Sequence, residues 1–221
     1  MNRREMLLGF LYLAFQQLFL PSLLVRICAR FFPLNAAWLN FVYYAINFIV
    51  IVVVFHRFLL ESLDVALGRK LWILRCLVLG FCGYFAISNI WGSILNYYFP
   101  GFSNVNDDSI GMMLRQDMIP MVIGTVLLVP IAEETLFRGL IFRGLYKKSK
   151  ALAYLVSVAA FSAIHVIGYI GSYDAVTLLV CFTQYFPASI CLAWVYAESD
   201  TIISPILMHT LINLAGVLLS L

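Results

Sequence analysis

The chain has 221 residues, 63% of them hydrophobic and 11% charged, with a mean hydropathy of +0.97. Soluble domains are about 45–50% apolar and about 25% charged, so this composition excludes a soluble globular protein and leaves room for about six to eight spans of roughly 20 residues each. The small net charge of +3, with no Gly-rich phosphate loop, internal repeat or low-complexity tract, implies no nucleic-acid partner.

In chain order, Met1-Asn2-Arg3-Arg4 precedes an apolar run that is too long for a signal peptide and lacks a small-x-small cleavage site, so it reads as a first membrane helix over about 6–27, with Pro21 as a kink. A second helix is predicted over about 36–60, ending in His56-Arg57, with a polar connection at 61–70. The third, about 71–99, is stopped by Pro100-Gly101. Ser103–Ser109 is the most polar stretch and reads as a loop. The fourth helix runs from Met118 to about Lys148, longer than a bilayer core, with a kink or break expected near Pro130. A fifth follows over about 151–170, a turn at Gly168–Ser172, and a sixth over about 174–197 with Pro187 inside it. Ser199-Asp200 is expected to cap the seventh, about 202–220. The fold class is thus an all-α, polytopic transmembrane bundle of about seven spans. Lys and Arg bias puts the N-terminus on the cytoplasmic side of the cell membrane, with Arg26 and Arg30 against the pattern. The five scattered cysteines read as buried small hydrophobes.

Ionisable residues inside membrane segments are functional candidates because hydrocarbon makes them costly. The second half of the chain holds Glu133, Glu134, Arg138, His165 and His209, with Asn213 one turn beyond His209. Glu134 and Arg138 lie four apart on one helical face and can neutralise each other. Glu133 has Phe137 at that spacing, so its carboxylate is left free. Phe161 and His165 are four apart, as are His209 and Asn213, so each histidine has a neighbour placed to fix its ring. Counted from the helix ends, Glu133 and His165 lie roughly 21–22 Å deep and His209 and Asn213 roughly 12–18 Å along theirs, in overlapping layers near mid-membrane. Singly, each feature has a structural reading: a histidine bonded to a carbonyl, a local ion pair, polar glue between helices. Together, a free carboxylate and two imidazoles suit hydrolysis, with Glu133 as general base on a water. Zinc on His165 and His209 would serve the same chemistry by acidifying that water, and proton transport also uses such groups.

The three patterns, Glu133-Glu134-Thr135-Leu136-Phe137-Arg138, Phe161-Ser162-Ala163-Ile164-His165 and His209-Thr210-Leu211-Ile212-Asn213, resemble the EExxxR, FxxxH and HxxxN patterns of the CPBP family of intramembrane proteases, also called the Abi or CAAX prenyl protease family. Pro130-Ile131-Ala132, Phe137-Arg138-Gly139 and Ser204-Pro205-Ile206-Leu207 match as context. The resemblance covers about residues 118–216, giving a catalytic core over 118–221 behind N-terminal helices (1–117) without a specific pattern. It implies that Glu133 activates water, aided by His165, His209 and Asn213, and that Glu134 and Arg138, with Phe161, organise the site. It leaves zinc open. Two departures stand out: Ser189 and Ala193 where the family tends to carry glycines, and Ser199-Asp200 where Thr-Gly usually opens the last helix.

The resemblance, with the small size, implies a bacterial endopeptidase that cleaves a membrane-associated peptide or protein in bacteriocin processing, self-immunity or regulation. A protein acting by contact, for example on a sensor kinase or as an immunity factor, would keep function when the patterned residues are mutated. A proton-coupled transporter would show repeated halves.

Overall fold

Within hydrocarbon the peptide groups have no water to bond, so the long apolar runs must close their hydrogen bonds internally as helices. The computed structural model describes residues 1–220 as α1 (Arg3–Leu18), α2 (Leu20–Phe31), α3 (Ala36–Gly68), α4 (Lys70–Tyr98), α5 (Val105–Gln116), α6 (Met118–Tyr146), α7 (Lys150–Ile164), α8 (Ala175–Gln184), α9 (Phe186–Ser199) and α10 (Ile203–Ser220). Five helices are long and apolar enough to cross a membrane: α3, α4, α6, the run Ala175–Ser199 and α10. The α1–α2 pair, bent by 52°, makes a sixth if it counts as one span. The remaining predicted helix is α7, which is apolar but has 15 residues. The protein is an all-α, multi-pass membrane bundle.

Several boundaries differ from the sequence reading, each for a physical reason. Pro21 does not kink a continuous helix; it sits in the first turn of α2, where proline's missing N–H costs nothing, and the bend falls at Phe19. Residues 61–68 are helix rather than loop. Phe58, Ser62 and Ala66, spaced by four, are all buried, and the Ser62 carbonyl accepts a 2.7 Å bond from the Thr201 hydroxyl. Ser103–Ser109 is also mostly helical. Asn104 caps α5 by accepting from the Asn106 and Asp107 amides, and the two aspartates complement the first-turn dipole. Asp200 does not cap α10; it closes α9 in the left-handed region (φ 55°), which aspartate tolerates. Thr201 Oγ1 instead accepts from the Ile203 amide at 3.3 Å. Four of the cysteines are buried and Cys82 is exposed.

The helix α6 is central. In its most apolar window 56% of residues are buried, against 17% in α3 and α4. It does not break at Pro130. It widens to π-helical turns at Ile123–Leu128 and Thr135–Phe142, on either side of the short α segment that holds the proline and both glutamates. Proline lacks the N–H for the regular helical bond and crowds the preceding turn, and wider turns accommodate both defects. The main core joins Ile51, Phe55 and Phe58 of α3 to Leu136, Phe137 and Phe142 of α6, and continues through Phe161 of α7, Tyr196 of α9 and Ile206 of α10. The N-terminal helices therefore share one core with the patterned segment. Gly124 permits a close approach here: a Cβ on it would lie 2.6 Å from Tyr44 Cδ2 of α3.

Asp174 caps α8, accepting from the Val176 and Thr177 amides at 3.0 Å and from the Thr177 hydroxyl at 2.6 Å. These bonds, the hydroxyl's first, hold its carboxyl below the usual carboxylate range. A depressed carboxylate stabilises the folded state at neutral pH and loses that contribution only as pH falls through its folded value. Asp174→Ala is expected to speed amide exchange at residues 176–177 at pH 7 and to remove the further loosening that the unmodified protein shows on acidification.

Candidate active site

The α segment at the centre of α6 points its two glutamates in different directions. Glu134 and Arg138, four apart, are both fully enclosed (0% exposed). Arg138 Nη1 donates to Glu134 Oε1 at 2.9 Å. Its Nη2 donates to both the carbonyl (3.1 Å) and the hydroxyl (2.9 Å) of Ser189 on α9, and its guanidinium carbon lies 4.4 Å from the Phe161 ring centroid. A buried ion pair is tolerated only when such extra bonds satisfy it. The same Glu134 oxygen takes Nδ1 of His209, from α10, at 2.8 Å. Glu134 thus links α6 to α10, and Arg138 links α6 to α7 and α9. On the sequence Glu134 is paired with Arg138 alone; in the fold it also holds His209.

Glu133 faces a cavity of about 550 Å³ that His165, His209 and Asn213 also line. Its Oε2 is buried without a hydrogen-bond partner. His165 follows directly on α7, and its Nδ1 lies 2.8 Å from the Phe161 carbonyl. A carbonyl or a carboxylate only accepts, so Nδ1 carries the hydrogen in His165, and in His209 against ionised Glu134. In both rings Nε2 is the nitrogen left for chemistry. Phe161 stands between them, its ring centroid 4.8 Å from that of His165 and 5.8 Å from that of His209. Asn213 spends one amide hydrogen on the carbonyl of Thr125, inside the first π-helical turn of α6, at 2.8 Å. A wide turn leaves carbonyls free of the regular pattern, and this one ties α10 to α6.

All seven residues singled out on the sequence therefore meet around one cavity. Glu133, His165, His209 and Asn213 line it; Glu134, Arg138 and Phe161 brace them from behind. For zinc, the donors lining the cavity are the two Nε2 atoms and the Glu133 carboxylate. No group of three His, Cys, Asp or Glu residues arranged to hold a metal occurs among the described residues, so these donors are not placed as a three-ligand site.

The sequence reading missed several participants. Tyr43 and Tyr44 of α3 line the cavity wall, and Tyr185 lies flat on His165 with ring centroids 4.1 Å apart and planes 26° apart. Tyrosines are too frequent here, twelve in all, for composition to mark these three. Ser189 stood out only as a small residue in place of glycine, yet its hydroxyl is an acceptor for Arg138.

Residues 115–215 match the family model described as Rce1-like, type II CAAX prenyl endopeptidase Rce1-like. No curated protein and no solved structure matches the chain significantly. The matched segment starts at the end of α5, reaches into the last turns of α10, and contains every one of the seven site residues. Residues 115–215, with their three patterns assembled around one cavity, are thus similar to the Rce1-like family of type II CAAX prenyl endopeptidases.

Proposed function

We propose that the protein is an intramembrane endopeptidase that hydrolyses a peptide bond of a membrane-associated peptide or protein, using Glu133 to activate water. The observation that carries this is the unpartnered Glu133 carboxylate in a cavity shared with two imidazoles of fixed tautomer. In this reading a water lies between Glu133 and an Nε2 lone pair, which accepts its second hydrogen and orients it. Glu133 takes one proton as the oxygen attacks the carbonyl carbon, and returns it to the amine as the C–N bond breaks. The free amide hydrogen of Asn213 is available to the oxyanion. Arg138 and Glu134 act indirectly, by fixing the ring of His209, as partners behind a reactive histidine do.

Zinc on the two Nε2 atoms would lower the pKa of the water. Because no three donors are arranged to hold a metal, no step here is routed through one, and treatment with a chelator is expected to leave the rate unchanged. The cellular role we attach is bacterial: processing, bacteriocin self-immunity or regulation of a sensor kinase at the cell membrane, with the N-terminus cytoplasmic.

The test is cleavage of membrane-anchored peptides by the purified protein in proteoliposomes, read by mass spectrometry. His165→Gln and His209→Gln, each confirmed to insert, are expected to lose about 10²-fold or more in rate, the scale for acid–base partners. Unchanged cleavage by both would remove the basis of the proposal.

A further inference from the structure

His165 needs more than its Phe161 bond to hold its ring, because one hydrogen bond at Nδ1 still lets the imidazole tilt about that axis. The restraint comes from Tyr185. This residue occupies the junction between α8 and α9, ahead of Pro187, which sits in the first turn of α9. Its ring stacks on His165 at 4.1 Å and 26°. Its hydroxyl lies 3.1 Å from Asn104 Oδ1 and 3.0 Å from Asp107 Oδ1, to which it can donate, and accepts from Asn106 Nδ2 at 3.1 Å. The neighbouring Gln184 accepts from Asn104 Nδ2 at 2.7 Å. The cap of α5, about 80 residues away in sequence, therefore grips the break in the Ala175–Ser199 run at two adjacent residues.

Neither feature is explained by helix packing alone. Asn104 Oδ1 already accepts from the first amides of α5 as its cap and faces the Tyr185 hydroxyl as well, while its Nδ2 donates to Gln184. Asn106 and Asp107, which line the cavity together with Tyr185 and His165, converge on one phenol. Such a web around one hydroxyl fixes a ring plane, and the ring it fixes lies against a histidine of the site.

We propose that Tyr185 is a positioning residue for His165, its ring setting the imidazole plane and its hydroxyl anchored by the Asn104, Asn106 and Asp107 cap of α5. It acts through His165 and not on the substrate, so its loss should lower kcat and leave KM alone. The proposal rests on the peptidase reading for its kinetic consequence but not for its geometry, and the two are tested separately.

The geometric arm is NMR of the histidine ring protons in the protein reconstituted in nanodiscs. The chain has three histidines, so the lines are assigned by His165→Gln. A stacked phenol shields the protons beneath it. Tyr185→Leu is expected to move the His165 lines downfield and leave those of His56 in place, and Tyr185→Phe is expected to keep most of the shielding. The kinetic arm is cleavage in proteoliposomes. Tyr185→Leu is expected to lower kcat by about tenfold or more with KM within about twofold, since small misplacements of reacting groups cost up to about 10²-fold. Tyr185→Phe, which loses only the anchor, is expected to lower kcat by about threefold, a partial form of the same misplacement. Asp107→Asn keeps an acceptor for the phenol and should retain near-normal rates.

Unmoved His165 lines in Tyr185→Leu overturn the proposal, as does a Tyr185→Leu kcat within about twofold of the unmodified protein, or a loss confined to KM, since positioning acts on the reacting geometry. If Tyr185→Leu does not insert, Tyr185→Phe decides, and an unchanged kcat there overturns it. If the unmodified protein cleaves nothing, the peptidase reading fails while the NMR arm still judges the placement of His165.

Discussion

Glu133→Gln is expected to abolish peptide cleavage, by about 10²–10⁴-fold or more, while the protein inserts and folds as before. Glutamine has nearly the shape of glutamate and cannot take a proton from water. The Glu133 Oε2 has no partner to lose, so the substitution strands no buried group and should leave thermal stability unchanged. Glu134→Gln separates the two roles. It removes the charge from the oxygen that both Arg138 and His209 share, leaving a buried cation without its counter-ion. That variant should lose stability as well as activity. Thermal unfolding in detergent beside a cleavage assay reads both; equal behaviour of the two variants would contradict the division of labour within the doublet.

Arg138→Met is expected to destabilise the protein by about 3–5 kcal/mol, the usual cost of removing one partner from a buried ion pair. It leaves Glu134 charged and fully enclosed, and it strips the Ser189 carbonyl and hydroxyl of their donor. It also removes the cation from the face of Phe161, which stands between the two histidines. Arg138→Lys should recover only part of the loss, since a single ammonium does not reproduce the fork that reaches Glu134 and Ser189 at once. The double variant Glu134→Leu, Arg138→Met should regain most of the stability, because a matched apolar pair strands no charge, yet remain inactive with His209 unanchored. Reversible unfolding monitored by circular dichroism measures these differences.

Much of this site could be read from the amino-acid order because local helical spacing carries it. The Glu134–Arg138 pair and the His165–Phe161 contact are both between residues four apart, and both form. The depth count put Glu133, His165 and His209 in overlapping layers near mid-membrane, and all three line the cavity. The contact that spacing could not supply is His209 on Glu134, 75 residues apart. Which of two adjacent carboxylates a distant histidine selects depends on the rotation of α6, and π-helical turns on either side of the Pro130 segment shift that rotation from a regular helix's. Asn213, expected to orient His209 one turn away, bonds instead to the Thr125 carbonyl. The polar stretch Ser103–Ser109 failed as a loop for a related reason. Asn, Asp and Ser serve both turns and helix N-termini, and the choice here rests on tertiary partners of Asn104 that local order does not reveal. Ser189 shows the limit of reading a residue by size: small enough for close helix packing, it also supplies the acceptors that hold Arg138.

The most direct test is hydrolysis in ¹⁸O-labelled water. Proteoliposomes carrying the unmodified protein or Glu133→Gln are incubated with a set of membrane-anchored peptides, and the products are weighed by mass spectrometry. Water activated by Glu133 predicts fragments with one ¹⁸O in the new C-terminal carboxylate from the unmodified protein and none from Glu133→Gln. Labelled fragments formed at the same rate by both would contradict Glu133 as the base.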